Sequence, residues 1–147
     1  MRETHRTDSP AEPRRPHRPV PCRPADARRT VRRVVAERCR TRAIPCDDDA
    51  LDDVLLVTSE LATNAILHGG GITGFDVDVD SAGVSVSVSD RSDDVPVVEA
   101  PVDERGRNRL GGRGWPIVCL LARDVSVAGL PRGGKRITAV VPLPRER

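Results

Sequence analysis

The spacing of hydrophobic positions changes along the chain, and each change marks an element. After Pro24, the residues Ala27, Val31, Val34 and Val35 recur at helical spacing, while Arg28, Arg29, Arg32, Arg33, Arg38, Arg40 and Arg42 fill the other faces. This first helix is expected to end before Pro45, because a proline disfavours helical backbone in the residue ahead of it. Asp47, Asp48 and Asp49 then supply N-cap and first-turn carboxylates for a second helix. Its apolar stripe runs through Leu51, Val54, Leu55, Thr58, Leu61, Ala62 and Ala65, and Gly69-Gly70-Gly71 stops it after about 20 residues.

From Phe75 the period falls to two. Phe75, Val77 and Val79 alternate with Asp76, Asp78 and Asp80, and Val84, Val86 and Val88 alternate with Ser85, Ser87 and Ser89. The intervening Asp80-Ser81-Ala82-Gly83 has turn chemistry, so the two runs predict an antiparallel hairpin with one buried face. Residues 91–111 show no sustained period and read as a loop of about 20 residues, a length that usually carries function or disorder. The Gly111-Gly112-Arg113-Gly114 run leads into a short helix opened by Pro116 and carrying Ile117, Val118, Leu120 and Leu121. Two strands close the pattern, Val125 to Ala128 and Arg136 to Val141, joined by a glycine-rich turn. The order helix, helix, strand, strand, loop, helix, strand, strand predicts an α+β fold, with helices on one face of a mostly antiparallel sheet.

Composition refines this picture. The chain has 147 residues, 24 basic and 22 acidic side chains, and Phe75 and Trp115 as its only aromatic residues. Modules that stack successive bases on aromatic rings need more rings than this. Residues 1–24 hold six Arg against Glu3, Asp8 and Glu12, which leaves the rest of the chain slightly acidic rather than a basic platform for nucleic acid. Six of the 13 prolines lie in the same stretch, so residues 1–24 are expected to form a disordered leader and 25–147 the folded domain. No apolar run reaches membrane-spanning length, and no signal-peptide segment follows the Arg- and Pro-rich start. Cys22, Cys39, Cys46 and Cys119 form no C-x-x-C pair and read as reduced thiols of a cytoplasmic protein.

Candidate chemistry lies first on the second helix. Glu60, Asn64 and His68 follow one another at i,i+4 spacing and project from one face. A carboxylate can accept a proton and an amide oxygen is a hard ligand for Mg²⁺, although an isolated pair of this kind also fits a surface hydrogen bond. His68 fits a dipole-favoured residue at the helix end. Asp90 stands where a strand leaves the sheet, and the glycine turn at 111–114 offers unpaired N–H groups at a helix start. Arg113 reads equally as a phosphate contact and as a solvated turn residue.

In this order, the residues resemble the Bergerat-fold (GHKL) ATP-binding superfamily, and within it the small bacterial anti-sigma factor serine/threonine kinases with their histidine kinase-like ATPase domain. Ser59-Glu60-Leu61-Ala62-Thr63-Asn64-Ala65 with His68-Gly69 is similar to the family's N-box. The resemblance implies a two-layer α/β sandwich, ATP and Mg²⁺ as cofactors, Glu60 as general base and Asn64 as the Mg²⁺ ligand. It implies that Asp90 accepts a hydrogen bond from the adenine amino group, that Gly112 and Gly114 lie against the phosphates, and that residues 91–111 form the ATP lid. It further implies a sigma factor and a small anti-sigma factor antagonist as protein partners, the latter phosphorylated on serine or threonine; some relatives also dimerise. Three positions depart from the family pattern. Ser92 stands where a glycine is expected, Trp115-Pro116 replaces a more usual Leu and variable residue, and Gly134 is followed by Lys135-Arg136, with Thr138 arriving late. These departures keep a second reading open, a catalytically weak or inactive interaction module that regulates a partner by binding alone. An ATP-binding half of a histidine kinase fits less well, since His5 and His17 lie in the expected leader.

Overall fold

A computed structural model describes residues 20–94 and 114–143. Its elements are α1 (Pro24–Arg42), α2 (Asp48–His68), β1 (Ile72–Asp80), β2 (Gly83–Asp90), α3 (Gly114–Leu121), β3 (Asp124–Gly129) and β4 (Lys135–Val141). The expected α+β architecture is what they form: three helices against one four-stranded sheet of order β1-β2-β4-β3, every pairing antiparallel. The expected leader lies outside the described residues up to residue 19.

Each helix buries the stripe that its sequence marks. On α1 these residues are Ala27, Val31, Val34, Val35 and Cys39, with Pro24 in the first turn, where its missing N–H costs nothing. Ala43 ends this helix in the left-handed region at φ 55°, the one non-glycine residue with positive φ among those described. On α2 the buried face comprises Ala50, Val54, Leu55, Val57, Thr58, Leu61, Ala62 and Ala65. Asp47 occupies the N-cap position without a side-chain capping bond, so the acidic start acts through Asp48 and Asp49 and the helix dipole. Thr58, fully buried, satisfies its hydroxyl on the Val54 carbonyl at 2.7 Å.

The sheet supplies the other half of the core. Val77 pairs with Val86 and Val79 with Val84, and Ile137, Ala139 and Val141 continue the same buried face on β4. The opposite face is polar, with Ser87 and Thr138 joined through their hydroxyls at 2.8 Å. Gly83 at φ 133° closes the hairpin where a Cβ would lie 2.1 Å from the Val141 carbonyl oxygen. Arg38 and Arg42 of α1 both reach the Asp78 carboxylate, tying the first helix to the edge strand. Trp115 packs within the core from α3, and its buried Nε1–H has no hydrogen-bond partner among the described residues.

Candidate functional site

The ends of α2 and β2 meet at one end of the sheet. Helix α2 stops at the three glycines, with the N–H groups of Gly69 and Gly71 both donating to the Ala65 carbonyl at 2.9 Å. Strand β2 ends at Asp90 beside this stop, and the Arg91 N–H donates to the Gly69 carbonyl at 2.9 Å. The Arg91 guanidinium reaches the Gly70 carbonyl at 2.6 Å. Asp90 therefore sits against the end of the helix that carries Glu60 and Asn64. With a rise of 1.5 Å per residue, Asn64 stands about 7 Å and Glu60 about 13 Å back along α2 from Gly69.

Asp90 extends the row of Val84, Val86 and Val88, so its side chain points into the helix-facing layer rather than to solvent. It is 3% exposed. A carboxylate at that depth needs compensation, and it comes from β4. Lys135, 5% exposed and directly opposite in the register, places its Nζ 3.0 Å from both carboxylate oxygens. The Ser92 N–H donates to Oδ1 at 2.9 Å.

Glycines press around the same residue, one at its side chain and one at its backbone. An ideal Cβ on Gly69 would lie 2.4 Å from both Cγ and Oδ2 of Asp90, and one on Gly134 would lie 2.2 Å from the Asp90 carbonyl oxygen. Gly134 also has φ +89°, and its N–H donates to the Asp93 carboxylate at 2.8 Å. Ser92, at the position of an expected glycine, has no positive φ, so the turn after Asp90 forms without the conformational freedom of glycine.

Glu60 and Asn64 are both half-buried on α2, and neither has a hydrogen-bond or ion-pair partner among the described residues. Arg28 of α1 holds the neighbouring Ser59 hydroxyl at 2.9 Å, which fixes the start of this stretch against the first helix. His68 is exposed in the last turn of α2, consistent with the dipole reading. Gly114 is the first residue of α3. Gly112 and Arg113 lie outside the described residues, as do 95–111 of the expected lid.

Among the described residues no group of three His, Cys, Asp or Glu side chains could hold a metal ion by itself. The single amide oxygen of Asn64 suits a Mg²⁺ that takes most of its ligands from phosphates and water. No helix among the described residues is long and apolar enough to cross a membrane.

Two residues of this corner carry functions that sequence reasoning passed over. Gly69 stands out there as a helix stop and as the end of the N-box stretch, whereas its missing side chain makes room for Asp90. Lys135 appears there only as an interruption before Thr138. Its signal was parity, because Lys135 opens the row Ile137, Ala139 and Val141 and is thereby committed to the buried face. Thr138 has the opposite parity and points to Ser87 on the polar face, away from Asp90.

Residues 20–141 match the model of the family described as Histidine kinase-like ATPase domain. Among solved structures, the histidine kinase domain from the Erythrobacter litoralis EL346 blue-light activated histidine kinase is similar at 23% identity and a TM-score of 0.40. That match covers 64% of this chain and 45% of the other, so the chain spans under half of that protein's length. Comparison with curated proteins finds no match.

Proposed function

Since this chain belongs to the histidine kinase-like ATPase family, the Bergerat or GHKL type of ATP-binding domain, we propose that it is an ATP- and Mg²⁺-dependent protein serine/threonine kinase. It would act as an anti-sigma factor-type regulator that phosphorylates a small antagonist protein and binds a sigma factor. The observation that carries the reading is the pair Glu60 and Asn64. They stand one helical turn apart, half-buried and unpartnered among the described residues, on a helix that ends against the buried Asp90.

Asn64 would help to hold a Mg²⁺, whose chemistry when bound would be to neutralise phosphate charge. Asn64 offers it one oxygen. Glu60 accepts the proton of the serine or threonine hydroxyl as that oxygen bonds to the γ-phosphorus; the bond to the β,γ-bridging oxygen breaks, and ADP leaves with that electron pair. A carboxylate without a competing partner among the described residues suits this task. Gly112, Arg113 and Gly114 are assigned to the phosphates, and Asp90 to the base end of the site.

Incubation with labelled ATP, Mg²⁺ and candidate antagonist proteins tests the reading. Transfer to a serine or threonine is expected with the natural protein and is expected to vanish in Glu60→Ala while ATP binding persists. Transfer undiminished in Glu60→Ala would remove the assigned base.

A second reading has one observation in its favour. The ammonium of Lys135 already holds both oxygens of Asp90, the residue assigned to the base, which suits a domain that regulates a partner by occupancy with weak catalysis. Nucleotide binding without transfer to any antagonist would favour it.

A further inference from the structure

The turn between α1 and α2 brings two thiols together. Cys39 lies in the last turn of α1, and its carbonyl accepts the N–H of Ala43, the left-handed residue, and the N–H of Ile44 at 3.0 Å. This pairing folds the chain back over the helix end, and Ile44 then packs against the core that includes Cys39. Two residues later, Cys46 stands immediately before Asp47, the N-cap of α2, with its thiol next to that of Cys39. The two thiols differ in access, since Cys39 is buried and Cys46 is exposed. Burial, and then the neighbouring Cys46 thiol, push the Cys39 thiol up to about 11, so near neutral pH it keeps its proton. Cys46 is the member of the pair that a solute in water can reach.

We propose that Cys46 and Cys39 form a peroxide-responsive pair that closes to an intramolecular disulfide across the α1–α2 turn. The Cys46 sulfur attacks one oxygen of hydrogen peroxide. An S–O bond forms, the O–O bond breaks, and the other oxygen leaves as water with the thiol proton, so that Cys46 becomes a sulfenic acid. The Cys39 sulfur then attacks the Cys46 sulfur; the S–S bond forms, the S–O bond breaks, and the hydroxyl leaves as water with the Cys39 proton. The two thiols give up two electrons in all, and the peroxide takes them. The bond closes a ring over residues 39–46 and ties the end of α1 to the start of α2, the helix that carries Glu60 and Asn64.

The test treats the folded, reduced, full-length chain with hydrogen peroxide, blocks the remaining thiols with iodoacetamide, and maps the cysteines by mass spectrometry. A Cys39–Cys46 link that dithiothreitol reverses is expected as the main product, ahead of any link to the exposed Cys22 or Cys119. Cys39→Ala is expected to stop at a Cys46 sulfenic acid that dimedone traps, and Cys46→Ser to leave Cys39 unoxidised. The linked protein is expected to melt above the reduced one, because the ring removes freedom from the unfolded chain. Should a variant fail to fold, the map and the melt of the natural protein decide alone. Any of four results overturns the pairing: no oxidation at either thiol, Cys46 carried to the sulfinic acid beside a free Cys39, a main link between any other cysteines, or a linked protein that melts no higher than the reduced one.

Discussion

Lys135 and Asp90 face each other across β4 and β2 as a buried ion pair, with the ammonium equidistant at 3.0 Å from the two carboxylate oxygens. Both side chains belong to rows that are otherwise apolar, so each charge is tolerated in the helix-facing layer because of the other.

That dependence makes the single replacements costly. Lys135→Met leaves a buried carboxylate with no counter-charge and is expected to lower unfolding stability by about 3 kcal/mol or more in urea denaturation. Lys135→Met combined with Asp90→Asn removes both charges and is expected to recover more than half of the loss. Equal losses in the single and double variants would show that the pair does not compensate itself.

Gly69 and Gly133 separate two reasons for glycine. Gly69 needs space, since its Cβ would strike Asp90 at 2.4 Å, whereas Gly133 has nothing within 4 Å but sits at φ +96°. Gly69→Ala is expected to cost about 2 to 3 kcal/mol through overpacking, and Gly133→Ala about 1 kcal/mol through backbone strain. Chemical denaturation of the two variants checks the order, and a larger loss at Gly133 would reverse the assignment.

The Cys39 thiol is pushed up from 9.0 to about 11, first by burial against the core and then by the neighbouring Cys46 thiol. A raised value in the folded state means that the stability linked to this proton is fully present below pH 9 and is lost as pH rises towards 11. Unfolding followed from pH 8 to 11 is expected to show this loss, and Cys39→Ala to flatten that part of the profile. Alkylation at pH 8 should spare Cys39 until the protein unfolds, because the thiolate is the reactive form.

Trp115 buries an indole N–H with no partner among the described residues, at a cost that Phe would not carry. Trp115→Phe is expected to lose no more than about 1.5 kcal/mol, because removal of an unsatisfied donor offsets part of the lost packing. A thermal melt of the variant measures the balance; a loss above about 3 kcal/mol would mean that packing dominates.

Much of this molecule was legible because period and parity are local. The valines of β1 and β2 announced a hairpin with one buried face, and the stripes on α1 and α2 announced helices that cover it. Glu60 and Asn64 were readable as neighbours because a helix fixes i,i+4 geometry, and they share a face in the structure. Contacts between distant segments were harder to read. The partner of Asp90 lies 45 residues later, and its discovery requires the register of β2 on β4, which no local pattern supplies. The space that Gly69 leaves for Asp90 depends in the same way on how a helix end meets a strand end. Asp47 shows the opposite case, a residue of the right type at the N-cap whose side chain makes no capping bond, because type sets preference while geometry decides.

The central claim is that α2 and the end of β2 build a nucleotide site in which Asn64 binds and Glu60 reacts. Calorimetric titration with Mg-ATP of the natural protein, Glu60→Ala and Asn64→Ala tests it most directly. The account predicts binding by the natural protein, binding changed less than about threefold in Glu60→Ala, and a loss of tenfold or more in Asn64→Ala. Absence of Mg-ATP binding by the natural protein, or undiminished binding by Asn64→Ala, would contradict it.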